Sequence, residues 1–536
     1  MSTSVRGAVL CVLLCVWYGG VCPVLAEHRC AFPKIAAKQG DLPIAVVQEL
    51  PKGGQTTSQT YTAASPEWKP IRFTAFADDI NYNSRYCTKE GDPRPDFMGS
   101  LYKCRAPEIL TEAKRNTILT VLLPHAVKLH MDRLRVNPLN TNVVVPKFTD
   151  RHCRHFSVNP VHRTKGVPKA DMVLYVAAGP SRQIKHSWAA PCLVLPNGRP
   201  VVGVLNFAPH TITDTREMIR SIAHEIAHAL GFHHLTMRRM KMVSKVLGVR
   251  QKKDYVYMVS SNATRREARK HYDCDLIRGM ELEDEGSDAL APSHWERRNA
   301  KDELMSPIVG AGFYTALTLA AFEDMGFFRA NWAMAEPMSW GYEAGCWLLK
   351  RRCLYGAQTQ YPDMFCNKEN VLPVCTSDRR ALGYCPIIQY DKPLPLSYRY
   401  FRNATIGGPQ GNLADFCPFY EPRSNTNCVT GDPAAMPGSR VGPKSMCMKT
   451  TGLQMEGKAI GDICAEVACT SKGVLVRFVN AKSWYPCPEG SFVELMYPFS
   501  AGTVWCPRRR DVCTDLVVSE NVKKEEERLR REASRA

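Results

Sequence analysis

The chain has 536 residues, 45% of them hydrophobic and 23% charged. These are ordinary globular values, which exclude a disordered or low-complexity chain, and the length exceeds what one core usually serves, so two or three domains are expected. Lys and Arg number 70 against 52 Asp and Glu, a formal net charge of +18 that suits anionic partners; no aromatic-plus-basic motif accompanies it, so nucleic acid is not an expected partner.

In chain order, Arg6, an apolar run over 7–22 and small residues ending at Ala26 read as a secretory signal peptide (1–26). The apolar run is short of the roughly 20 residues that a membrane span needs. Residues 27–66 are rich in Gln, Thr, Ser, Pro and Gly and read as a flexible pro-segment with little to bury. Ordered structure is expected from "WKPIRFTAFADDI" onward. Residues 107–131 have helical spacing, the first half ending at Pro124. The apolar, β-branched runs 170–179 and 199–208 read as strands, and "VVGVLNF" (201–207) is a candidate to pair with an extended substrate. The helix that follows, "SIAHEIAHALGFHHL" (221–235), completes an α/β sandwich with a helix behind a sheet. The basic segment Met237–Lys253 reads as a solvated stretch capable of weak contact with an anionic membrane. Residues 315–328 form an amphipathic helix, and from Asn331 Cys, Pro and Gly become frequent as helical periodicity fades. The charged run after Val518 lacks the roughly 10–20 apolar residues of a glycolipid-anchor signal, so a secreted protein or one in a secretory compartment is expected.

The cysteines agree with export. Of 22, three leave with the signal peptide, Cys30 stands alone, and eighteen lie between Cys87 and Cys513, enough for nine disulfides. Twelve of these fall within Cys353–Cys513. Asn262 and Asn403, each in "NAT", are candidate glycosylation sites.

Within the helix, Ile219, Ile222, Ala223, Ile226 and Leu230 share one side, while His224 and His228 share the opposite side, one turn apart. Thr213 or Asp214 can cap its start and Gly231 can end it. Two histidines at i and i+4 with Glu225 beside the first are a zinc-peptidase pattern. Neutral imidazoles leave a zinc ion its Lewis acidity, and Glu225 is placed to act as general base on a water molecule. His234 completes H-E-x-x-H-x-x-G-x-x-H as a third ligand, and Met305 is the candidate for the methionine turn of such enzymes.

"HEIAHALGF", "HYDCDLIRGMELEDEG" (271–286), "SHWERRNAKDELMSP" (293–307) and "FYTALTLAAFEDMGF" (313–327) together resemble the leishmanolysin family of secreted or surface zinc endopeptidases, over residues 28 to 513. The resemblance implies that His224, His228 and His294 hold one Zn²⁺, that His234 does not, that Glu225 is the base and Met305 the turn, and that Cys30 in "EHRC" blocks the metal in a zymogen. It also implies an α+β fold. A metzincin-like catalytic domain (67–234) precedes a mainly helical central domain (235–330) that carries the third histidine. A disulfide-rich β/loop domain (331–515) and a charged tail (516–536) follow. Protein and peptide substrates, roles in adhesion and host-protein degradation, and a monomer are expected. The competing reading is a non-catalytic adhesin on the same fold; such degenerate relatives usually lose the glutamate or a histidine, and here both are intact.

Overall fold

The computed structural model describes residues 28–36, 42–44, 67–180, 186–252, 254–285, 293–495 and 497–514, with Glu527 and Arg531. The expected signal peptide, most of the pro-segment and most of the charged tail lie outside the described residues.

The site rests on a four-stranded sheet. Phe73–Phe76, Met172–Ala177 and Pro200–Asn206 run parallel in that order, and Trp188–Val194 closes the sheet antiparallel to Pro200–Asn206. The two strands expected from the apolar runs are both present; Trp188–Val194, which opens on His-Ser-Trp and contains Pro191, was not foreseen. Met172, Leu174 and Val176 face the helical side with Ile222, Ala223 and Ile226, while Val173, Tyr175 and Ala177 face a second cluster with Val202 and Val204. Burial on both faces is why these strands read as continuous apolar runs. The strand Pro200–Asn206 is hydrogen-bonded on both edges. "VVGVLNF" therefore has no edge left for a substrate; the edges of this sheet are Phe73–Phe76 and Trp188–Val194.

The helix that carries the motif spans Arg216–Ala229. Its N-cap is Thr215, whose Oγ1 accepts from Met218 N at 3.2 Å, rather than Thr213 or Asp214. Gly231 ends it as expected, with φ at +105°, a conformation that glycine reaches without Cβ strain. Two buried contacts fix the helix from behind. His130 donates from Nε2 to the Ala223 carbonyl at 2.8 Å. Glu336 accepts from Arg220 at 2.6 Å through both oxygens and from Arg133 at 2.9 Å. The helix of His130 differs in detail from its expectation: a π-turn at Ile118–Leu122 joins Glu112–Thr117 to Leu123–Met131, so the chain passes Pro124 without ending.

Residues 235–330 are less helical than expected. They hold helices His234–Arg239, Asn262–Tyr272 and Ala316–Asp324, but also a three-stranded antiparallel sheet of Val243–Val246, Val256–Val259 and Met280–Glu281. The last helix is buried over Leu317–Phe322, so it lacks the wet face that an amphipathic reading implied. In the basic segment, Arg250 and Lys252 turn inward to Glu281, Asp284 and Asp415, which removes two charges from any membrane-facing surface.

The C-terminal region is built on small antiparallel sheets and disulfides. All eighteen expected cysteines pair, into nine disulfides, six of them within Cys353–Cys513. Asn262 and Asn403 are both exposed.

Gly203 sets how closely the helix approaches the sheet. A Cβ there would stand 2.8 Å from Met172 Cε, 3.0 Å from the Ala190 carbonyl oxygen and 3.2 Å from Ala229 Cβ. Gly203→Val should therefore lower unfolding stability by about 1–3 kcal/mol, measured by denaturant titration; an unchanged midpoint would show that this packing has slack.

Candidate metal centre

The helix places His224 and His228 on one side, one turn apart, both fully buried. The third histidine arrives from elsewhere in the chain. Residues 293–307 fold back beneath the helix: Trp295 N donates to the Met305 carbonyl at 2.9 Å, and Glu283 N to the His294 carbonyl at 3.0 Å. His294 is thereby held facing the pair.

The three Nε2 atoms form a nearly equilateral triangle: 3.1 Å from His228 to His224, 3.2 Å from His228 to His294, and 3.2 Å from His294 to His224. Nitrogens each about 2.0–2.1 Å from one tetrahedral zinc stand about 3.3 Å apart, so the triangle fits that ion. The protonation pattern fits as well. His224 Nδ1 lies 2.6 Å from the Leu304 carbonyl and His228 Nδ1 lies 2.7 Å from the Phe232 carbonyl. A carbonyl only accepts, so each Nδ1 carries the proton and each Nε2 turns a lone pair inward. Burial, and then the neighbouring His224 and His294, push His228 well below the usual imidazole range, which keeps it neutral. Lone pairs converging at this distance repel unless a cation lies between them.

Met305 is fully buried in the turn below, and its backbone N–H reaches Glu303 Oε2 at 2.5 Å. Glu303 also accepts from Thr315 Oγ1 at 2.9 Å, tying the turn to the helix Ala316–Asp324. Burial lifts the Glu303 carboxyl to about 7. Glu225 is fully buried beside the cage, with a backbone hydrogen bond from Ala189 on the edge strand; burial lifts its carboxyl to about 7 against the opposing effect of His224.

Cys30 joins the cage. Its Sγ is 3.4 Å from His228 Nε2, and the donor atoms of Cys30, His224, His228 and His294 all lie within 4.8 Å of one another. His234 is not in this group: it opens the helix His234–Arg239, and its ring packs edge-on against Tyr257 at 4.7 Å.

The pro-segment around Cys30 corrects the expectation that it buries little. His28–Arg29 pairs antiparallel with Ile308–Val309, just after the methionine turn, and Cys30 N donates to the Pro307 carbonyl at 3.0 Å. Phe32 is fully buried and stacks on His228, ring centroids 4.0 Å apart and planes 5° from parallel. Farther on, the Pro43 carbonyl accepts from Val194 N at 3.1 Å on the edge strand. The segment "CAFPKIA" carried the signal in its four apolar residues Ala31, Phe32, Ile35 and Ala36, but its polar surroundings masked them. Neither Phe32 nor Glu303 was singled out from sequence.

A histidine cage on an HExxH helix, with a buried carboxylate at its rim and an edge strand alongside, defines the metal-dependent peptidase class. The comparisons make this specific. The leishmanolysin family model matches residues 28–520. The chain is 33% identical to a leishmanolysin homolog of Crithidia fasciculata over 84% of this chain and 72% of that protein, and 33% identical to leishmanolysin of Leishmania amazonensis over 85% and 79%. A leishmanolysin-like peptidase of Drosophila pseudoobscura pseudoobscura is 30% identical over 48% of this chain and 47% of its own length. The chain belongs to the leishmanolysin family and is a metalloendopeptidase.

The two third-ligand assignments separate cleanly. His294→Ala should lose most bound zinc, and His234→Ala should retain it, as measured by metal content after dialysis; the reverse pattern would assign the metal to His234.

Proposed function

We propose that the protein is a zinc endopeptidase made as a zymogen, in which His224, His228 and His294 hold the ion, Glu225 is the general base and Cys30 is the inhibitory fourth ligand. The observation that carries this reading is the Nε2 triangle with the Cys30 thiol on its open side. The residues fit the metal in donor type, spacing and tautomer. A bound zinc would supply Lewis acidity to a peptide carbonyl and bring a water molecule toward a pKa of about 7.

The chain's own residues do the rest. The edge strand Trp188–Val194 offers backbone groups to an extended substrate, which places the scissile bond beside Glu225. The Glu225 carboxylate takes a proton from the attacking water and returns it to the leaving amine. Its buried setting suits both roles, because a carboxyl titrating near neutrality gives and receives protons readily. The backbone hydrogen bond from Ala189 holds it in place.

Latency follows from the same geometry. The pro-segment occupies the cage with Cys30, covers His228 with Phe32 and touches the edge strand at Val194, so substrate and pro-segment compete for one surface. Thiolate is a good zinc ligand and fills the position that a water molecule needs. The separate cluster of Met446, Ile463, Val476 and Val504 supports a distinct C-terminal domain in this reading, and the nine disulfides suit an exported protein.

Two outcomes check this. Glu225→Ala should keep its zinc while kcat on a denatured protein substrate falls about 10²–10⁴-fold; wild-type turnover would remove Glu225 as base. The Cys30→Ser precursor should cleave substrate without removal of residues 27–66, whereas the wild-type precursor stays latent. Equal latency would mean that contacts other than the thiol block the site.

A further inference from the structure

A cluster of carboxyl groups, two of them buried, adjoins His294. One carboxylate oxygen each from Glu283, Asp284 and Glu296 lies within 4.8 Å of the others. Glu283 and Glu296 are buried and Asp284 is half-buried. Three further carboxylates, Glu281, Glu285 and Asp415, pack around them, linked by a hydrogen bond from Asp415 N to Glu285 Oε2 at 2.7 Å and by Arg250.

The neighbouring cations are already engaged. Arg250 pairs with Glu281 at 2.6 Å and with Asp415 at 2.8 Å. Lys252 pairs with Asp284 at 2.7 Å and with Asp415 at 2.8 Å. Among the described residues Glu283 accepts from two backbone N–H groups, those of Glu285 at 2.9 Å and Arg297 at 3.1 Å. Glu296 Oε1 accepts from Arg298 N at 3.2 Å. Its Oε2, in a side chain with no solvent exposure, has no hydrogen-bond partner among the described residues. A buried carboxylate oxygen in that position calls for a counter-charge.

We propose that Glu283, Asp284 and Glu296 form a second cation site, distinct from the histidine cage and selective for a hard divalent ion of the calcium class. The donors are all oxygen, which disfavours zinc and suits calcium. Calcium binds oxygens at about 2.3–2.6 Å, so two of its ligands lie at most about 5 Å apart, and the three carboxylates meet that limit. Six to eight ligands are usual, and the half-exposed rim at Asp284 admits the waters that complete the set. The ion would stiffen the two strands of chain that hold His294: Glu283 bonds the His294 carbonyl through its backbone, and Glu296 lies two residues beyond His294. The inference does not depend on the zinc assignment, because its readouts are calcium binding and stability at constant zinc content.

The test uses the full-length precursor, freed of calcium and with zinc content monitored by mass spectrometry. Calcium chloride should raise its thermal midpoint saturably, by on the order of 5 °C at a hundredfold excess over Kd. Terbium should bind with tryptophan-sensitised luminescence, Trp295 being next to Glu296 in the chain, and calcium should displace it. Glu296→Gln and Asp284→Asn should each weaken calcium binding at least tenfold with zinc unchanged. Should Glu296→Gln fail to fold, Asp284→Asn at the rim still decides the matter. No calcium-dependent shift and no displaceable terbium signal in the wild type would overturn the proposal. So would wild-type calcium affinity in the folded variants. A Glu296→Gln protein that is more stable than a calcium-indifferent wild type would assign the cluster to shared protons instead.

Discussion

The structure depends on holding three imidazole lone pairs toward one point. Left to themselves, Nε2 atoms at 3.1–3.2 Å repel. The fold counters this by fixing two of the rings from behind. The Leu304 carbonyl takes the proton side of His224, and the Phe232 carbonyl that of His228. The first of these carbonyls belongs to the methionine turn and the second to the chain just past Gly231. Turn, helix end and cage are therefore one unit: the positive φ of Gly231 brings Phe232 back to His228, and the buried Glu303 holds Met305 and so the loop that presents Leu304. The Arg220–Glu336–Arg133 contact, deep in the molecule, keeps the helix from sliding along the sheet.

The segment around Cys30, the expected pro-segment, packs on the same unit. Its strand at His28–Arg29 extends the chain leaving the methionine turn, its cysteine reaches the cage and its phenylalanine lies flat on a histidine. Each contact is local and modest. Their sum depends on the register set by the pairing with Ile308–Val309, since shifting that pairing by one residue would turn Cys30 away from the cage.

Much of this was legible in the sequence, and for physical reasons. The HExxH helix announces itself by its 3.6-residue period and its i, i+4 histidines. The central strands do so by unbroken apolar runs, and the disulfide framework by an even cysteine count. What escaped is what depends on long-range geometry. The strand Trp188–Val194 contains a proline and starts in polar residues, yet an edge position tolerates both. Edge and centre of a sheet cannot be told apart without the pairing order, which is why "VVGVLNF" was misassigned as substrate-facing. His294 and His234 are equally good ligands by chemistry. Spacing within the motif favours His234, and only the family resemblance pointed to His294. Glu303 and Glu296 resemble ordinary surface carboxylates until the fold buries them.

The proposed function requires one metal ion among His224, His228 and His294, with the Cys30 thiol on its fourth side in the precursor. An anomalous difference map recorded at the zinc edge from crystals of the full-length precursor tests it most directly. The expected map holds one zinc peak about 2.0–2.1 Å from each of the three Nε2 atoms and about 2.3 Å from the Cys30 sulfur. A peak bonded to His234, or one bonded to the three histidines with the Cys30 sulfur turned away, would contradict it.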